Sequence, residues 1–124
     1  MLFLLAAAPA LALELSIQAT VMDTAESWSL QEVEYGEQEP LLITVDKKTA
    51  YRLEMTISEH TDGVAYSITV VSLETSWRGK TTETVLTRPS LISPLGQDAS
   101  VKQGHTTKRG TQVNLFEVTL SASE

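Results

Sequence analysis

The side chains best suited to acid–base or metal chemistry in this sequence are two histidines, His60 and His105. Both fall in predicted loops, and neither belongs to an HxxxH or similar ligand spacing. A zinc site would need further carboxylates, and no pattern marks which ones. Cysteine is absent. That removes thiolate ligands, a thiol nucleophile, disulfides and a cysteine lipid anchor. Serine and threonine are abundant, yet there is no GxSxG elbow and no SxxK pair. A Ser–His–Asp set assembled by folding stays open, because its members need not be close in sequence. The 16 carboxylates offer no marked pair for glycoside hydrolysis. The six glycines are scattered as turn residues, so no phosphate-cradling loop is present. Glu32-x-Glu34 and Glu37-x-Glu39 space carboxylates like a cation loop but lack the Asp/Asn and Gly pattern of a dedicated calcium loop. The expectation is therefore no catalytic set, no metal and no cofactor. Trp28 and Trp77 are candidate binding residues that would stack on a sugar or peptide. Their alternative role is core or cross-strand packing.

Composition narrows the partners. A chain of 124 residues has room for one core. Hydrophobic residues make up 42% and charged residues 20%, which fits neither a disordered acidic tail nor a polytopic membrane protein. A net charge of −7 argues against nucleic-acid binding as the main task. The charge is uneven along the chain. From Leu13 to Asp46 there are eight acids and no Lys or Arg; from Lys47 onward there are eight acids and nine bases. Such acids either keep edge strands from pairing with other chains or form an acidic face for a basic partner or a divalent cation.

Met1 to Ala12, MLFLLAAAPALA, has a short apolar core, a break at Pro9 and a small-x-small site at Ala10-x-Ala12. This is a secretory signal pattern, too short to span a bilayer, although no Lys or Arg precedes its apolar run. The boundaries expected are a signal peptide at 1–12 and one β-rich domain at 13–124, with no membrane span in the mature chain.

Beyond Ala12 the apolar residues recur with period two. Leu13, Leu15, Ile17, Ala19 and Val21 alternate with polar residues, which predicts a strand with one face buried. The pattern returns at Tyr51, Leu53, Met55 and Ile57, and again at Val64, Tyr66, Ile68 and Val70. Asp62-Gly63 between those runs is a hairpin signal. Val70 and Val71 are adjacent and Leu73 continues in the other phase, which suggests a bulge near Val71. Trp77-Arg78-Gly79-Lys80 makes a second turn, so residues 50–87 read as a three-stranded meander. Asp23 to Pro40 fits a helix face and a broken strand equally loosely, and Gly36 and Pro40 closing it favour the strand; Val113 to Leu120 reads as a long strand with one phase change. No stretch sustains a 3.6-residue apolar period. The predicted fold is all-β, an antiparallel sandwich or partly open barrel of about seven to eight strands.

One stretch carries a family likeness. Val85, Leu86, Arg88, Pro89, Leu91, Gly96, Ala99, Val101 and Gly104 fall at the matching positions of VLSxPxLxTxxGxxAxIxxG. Residues 84–104 thus resemble the core hairpin of bacterial secretins, the outer-membrane channels of secretion systems and type IV pili. The resemblance implies a hairpin in which Pro89, Leu91, Gly96, Ala99 and Val101 pack or turn, with Arg88, Gln97 and Lys102 exposed as candidate contacts to an assembly partner. It covers a short part of the chain, and the repeated modules and channel strands of secretins have no counterpart here.

The sequence as a whole reads as an exported, non-catalytic β-domain that binds a protein partner in the bacterial envelope. The competing reading is a small secreted hydrolase with a dispersed Ser, His and carboxylate site. Export has a direct test. Mass spectrometry of the envelope fraction should find a mature N-terminus at Leu13, and an intact Met1 terminus in the cytosol would refute cleavage after Ala12.

Overall fold

The computed structural model describes residues 13–124, and the signal-peptide expectation at Met1–Ala12 lies outside the described residues. The chain is all-β, as its period-two patterning predicts, and forms two antiparallel sheets. Sheet A holds β1 (Leu13–Val21), β2 (Thr24–Val33), β9 (Asp98–Thr106) and β10 (Gln112–Ser123) in the order β2-β1-β10-β9. Sheet B holds β3 (Gly36–Glu37), β4 (Leu41–Thr44), β5 (Thr49–His60), β6 (Gly63–Thr75), β7 (Thr81–Thr87) and β8 (Ser90–Ser93). β5 and β6 form its centre. β3 and β4 both pair with β5, and β7 and β8 both pair with β6. Among the described residues, ten strands thus occupy eight positions, because two edges are broken into pairs of short pieces. The arrangement is sandwich-like and does not close into a barrel. Among the described residues, no helix is long and apolar enough to cross a membrane.

The alternation seen in the sequence becomes the core. Leu15, Ile17, Ala19 and Val21 of β1 and Phe116, Val118, Leu120 and Ala122 of β10 are buried in one cluster with β5 and β6. The sheet B side supplies Leu53, Met55, Ile57, Val64, Tyr66, Ile68 and Val70. Full burial of side chains of this size contributes about 1.5–3 kcal/mol each. The meander over 50–87 is present as β5, β6 and β7.

Places where the alternation slips have identifiable causes. On β2 the inward residues change from Trp28 and Leu30 to Val33. The β1–β2 register jumps there, from Leu15↔Leu30 to Leu13↔Val33, and Glu32 has a φ of 55°. The phase change in β10 is a bulge between Asn114 and Phe116. The slip expected on β6 near Val71 takes another form. The β5–β6 register runs unbroken through Arg52↔Val71. The extra residue is Leu86 on β7, between the pairs Val70↔Thr87 and Val71↔Val85. Val71 and Leu73 simply belong to the outer face of sheet B, where Val71 is nevertheless buried.

The hairpin expected over 84–104 is not formed. β8 pairs with β6 in sheet B, whereas β9 pairs with β10 in sheet A, so Pro94 to Gln97 carries the chain from one sheet to the other. Ser90 and Leu91 find partners in Ser67 and Tyr66 instead. The long β6 offers a free ladder beyond Val70, whose partner is the last residue of β7, and Pro89 extends it by accepting a hydrogen bond from the Ile68 N–H at 3.0 Å.

Two glycines separate backbone strain from steric contact. The β5–β6 turn places Thr61 and Asp62 between the paired residues His60 and Gly63. Gly63 comes just after the turn with a φ of 135°, and a Cβ there would lie 2.2 Å from the Ser93 carbonyl oxygen. Gly96 has a φ of 80° but open space around it. Gly63→Ala should therefore destabilise by more than about 2 kcal/mol, because backbone must move to admit the methyl group. Gly96→Ala should cost only the left-handed strain of about 1–2 kcal/mol. Urea denaturation of both variants checks the order, and equal losses would contradict it.

Candidate functional site

The binding candidates read from the sequence do not converge. Trp28 lies on β2 opposite Ile17, half-buried and packed against the core. Gln97 is exposed in the crossing between sheets, where its carbonyl accepts a hydrogen bond from Ser93 Oγ at 3.0 Å. Arg88 is exposed between β7 and β8, and Lys102 is exposed on β9 opposite Glu117. These last two flank one link between the sheets, since Thr87 Oγ1 donates to Gln103 Oε1. Trp77 stands apart at 80% exposure in the β6–β7 turn, with the Arg78 guanidinium 4.8 Å from its ring centre.

The hydrolase reading finds little geometry to build on. His60 accepts a hydrogen bond at Nδ1 from the Asp62 N–H at 3.1 Å. The Asp62 carboxylate is 3.8 Å from Nδ1, within the same exposed turn. No serine hydroxyl bonds to His60 among the described residues. The His105 side chain lies outside the described residues. Among the described residues, no three His, Asp or Glu side chains are grouped to hold a metal ion. A surface hollow of about 440 Å³ lies along the β2–β4 connection between Leu30 and Leu41, and it is open to solvent.

Ion pairing concentrates on the outer face of sheet B. Arg52 is the direct cross-strand partner of Val71. Its Nε donates to Glu54 Oε2 at 2.9 Å, and a terminal nitrogen donates to Glu83 Oε1. These contacts, first the hydrogen bond to Glu83, raise the guanidinium pKa further above its usual value. The charged side chains thus fix the stem of Arg52 across a row that contains Val71 and Val85.

The structure gathers charge that is scattered in the sequence. The β4–β5 and β6–β7 turns are neighbours, because the Thr75 N–H donates to the Lys48 carbonyl at 2.7 Å. The β1–β2 turn sits over the same end. Burial pushes the Tyr51 phenol up, and the charges of Glu74, Asp23 and Asp46 push it further. Met22 N–H donates to the Leu115 carbonyl at 3.0 Å, which brings the start of β10, and the β9–β10 turn before it, to this end as well. Lys47, Lys48, Arg78, Lys80, Lys108 and Arg109 occupy three of these four turns. They are six of the nine Lys and Arg in the chain. Sequence reasoning located the turn at Trp77 to Lys80 but not the convergence of these turns. A usable signal was present in Ser76-Trp77-Arg78-Gly79-Lys80 and Thr107-Lys108-Arg109-Gly110-Thr111. In both, the glycine has positive φ and donates to the Ser or Thr carbonyl, and the hydroxyl of that Ser or Thr accepts from the fifth residue's N–H.

No family model matches the sequence, and neither a curated protein nor a solved structure matches it.

The two tryptophans should separate in a stability measurement. Trp77→Ala should change unfolding free energy by no more than about 0.5 kcal/mol, as exposed positions do. Trp28→Ala should cost roughly 1–3 kcal/mol through lost packing on β2. Urea titrations monitored by circular dichroism decide this, and a large loss for Trp77→Ala would show that its ring is structural.

Proposed function

We propose that this chain is an exported, non-catalytic binding module of the bacterial envelope that recruits an extended segment of a protein partner by strand addition. The observation that carries the reading is β7. Thr81 to Val85 are exposed on both faces of a paired edge strand, so this stretch extends past the cover of sheet A. An edge strand offers alternate N–H and C=O groups to a further strand. β7 has no Lys, and its one charge, Glu83, is engaged by Arg52. Thr and Val suit a pleated ladder. Of the other edges, β4 has four residues, β2 carries Glu26 and Glu32, and β9, the second edge of sheet A, carries Asp98 and Lys102. Main-chain pairing on β7 would supply affinity, with Val85 and Thr81 on the outer face reading alternate partner side chains.

Export is supported by the apolar pattern at Met1–Ala12. The envelope setting is supported by the likeness of residues 84–104 to the secretin core, which is a likeness of sequence, since the segment crosses between sheets. Arg88 and Lys102 adjoin the Thr87–Gln103 link at the end of β7, and in this reading they would contact a partner that continues past that end.

A library of extended, β-branched peptides displayed on phage tests the proposal. Selected peptides should protect the amides of Thr81 to Val85 from hydrogen exchange, and Val85→Lys should weaken their binding about tenfold, or about 1.4 kcal/mol. Selection of no peptide, or protection confined to other strands, would refute strand addition at β7.

A further inference from the structure

We propose that the end of the sandwich formed by the β1–β2, β4–β5, β6–β7 and β9–β10 turns docks onto an anionic lipid surface, with Trp77 entering the headgroup layer. This inference rests on different residues from the strand-addition reading and goes beyond it. Six bases stand in three of the turns at this end, against Asp23, Asp46 and Glu74. Trp77 is 80% exposed there, and Val45, at 43%, begins the adjoining turn. Two exposed apolar groups among Lys and Arg side chains match a bilayer interface, which takes an indole at headgroup depth and attracts bases to anionic lipids.

The other end explains how a chain of net charge −7 can approach such a surface. The β5–β6 turn meets the β8–β9 crossing there, since a Cβ on Gly63 would touch Ser93. The crossing is tied to the end of β10 by the Gly96 N–H donating to the Ala122 carbonyl at 2.8 Å. β2 also finishes there, with Val33 opposite Leu13 at the start of β1. This end carries Glu32, Glu34, Glu37, Glu59, Asp62 and Asp98, with no Lys or Arg among its described connections. The molecule is therefore polarised along its strands. An anionic surface attracts one end, repels the other and orients the sandwich upright. The charged patch of a flat sheet face would lay it on its side.

The turns are built to present these groups. Ser76 N–H donates to the Lys80 carbonyl at 2.8 Å and Gly79 N–H to the Ser76 carbonyl at 2.8 Å. The β9–β10 turn repeats both bonds, from Thr107 N–H to the Thr111 carbonyl and from Gly110 N–H to the Thr107 carbonyl, each at 2.9 Å. With the turn backbone held by its own hydrogen bonds, the exposed side chains at Trp77, Arg78, Lys108 and Arg109 are free to contact a surface.

Co-sedimentation of the full chain with vesicles tests this. Mixed phosphatidylglycerol–phosphatidylcholine vesicles should take up the protein, and pure phosphatidylcholine vesicles should take up much less. Binding should fall steeply as salt shortens the Debye length from about 10 Å at 0.1 M to about 3 Å at 1 M. Each base removed, as in Lys48→Gln, Arg78→Gln or Arg109→Gln, should weaken partition about fivefold. Glu37→Gln at the other end should not weaken it. Met1–Ala12 is common to every variant, so differences among them report the turns. In a Trp28→Phe background that melts as a folded protein, Trp77 emission should shift to the blue on anionic vesicles. Equal uptake by both vesicle types, or unweakened binding of the turn variants, would overturn the proposal. So would two other results: salt-sensitive self-association without vesicle binding, meaning that basic and acidic ends of two copies pair, or binding to a soluble polyanion with no vesicle uptake.

Discussion

The rest of the molecule depends on the contact of one face of β1 and β10 with one face of β5 and β6. There is no disulfide to close the sandwich. These four strands therefore carry the apolar alternation most strictly, and they occupy the middle of their sheets. Every other strand is an edge or a piece of one. An edge position has a neighbour on one side only, so its side chains are covered less completely. The chain accordingly relaxes its pattern on β2, β4, β7 and β8, where half-buried and exposed residues dominate.

That difference explains how much of the fold was legible in the sequence. Period two at Leu13–Val21, Tyr51–Ile57 and Val64–Val70 was enough to find the central strands, because a strand buried on one face must alternate. Edge residues obey no such demand, so Asp23 to Pro40 reads only loosely as a broken strand. The break is the bulge at Gln31–Glu32, where the buried side moves from even to odd residues. The hairpin expected at 84–104 fails for a related reason. A proline, a turn glycine and alternation on both sides suit a hairpin equally well as a crossing. Local pattern contains nothing about which strand a ladder joins. Only the unused length of β6 beyond Val70 decides that β8 stays in sheet B.

Charge placement was half legible. The sequence shows acids before Lys47 and bases after it, but a linear count does not reveal that hairpins fold charge back on itself. β4–β5, β6–β7 and β9–β10 each reverse at the same end, so bases separated by up to 62 positions, from Lys47 to Arg109, share one surface. The acids of the β2–β4 and β5–β6 connections go to the other end for the same topological reason. The chemistry of a single residue such as Trp77 or Lys102 carries no information about which turns will stand beside it. That information lies in strand lengths and in the direction of each reversal.

The polarity of the sandwich also bears on how its edges survive. A sheet with an open edge such as β7 invites pairing between copies. Lys on the strand is one remedy, and this strand has none. The bases stand instead in the turn that introduces it, at Arg78 and Lys80, and in the adjoining Lys47–Lys48 turn. Two copies pairing antiparallel along β7 would place these like charges at opposite ends and leave them unopposed, whereas parallel pairing would stack them against one another. Coulomb repulsion between bases about 5 Å apart disfavours the parallel arrangement even through water. The antiparallel arrangement instead brings the Glu83 regions of both copies toward a common centre, with each glutamate already paired with its own Arg52. The ion pair that holds Arg52 across Val71 therefore has a second consequence. It offsets part of the one charge on β7 that could repel an incoming strand, the guanidinium being shared with Glu54, and leaves selectivity to the side chains that flank the edge.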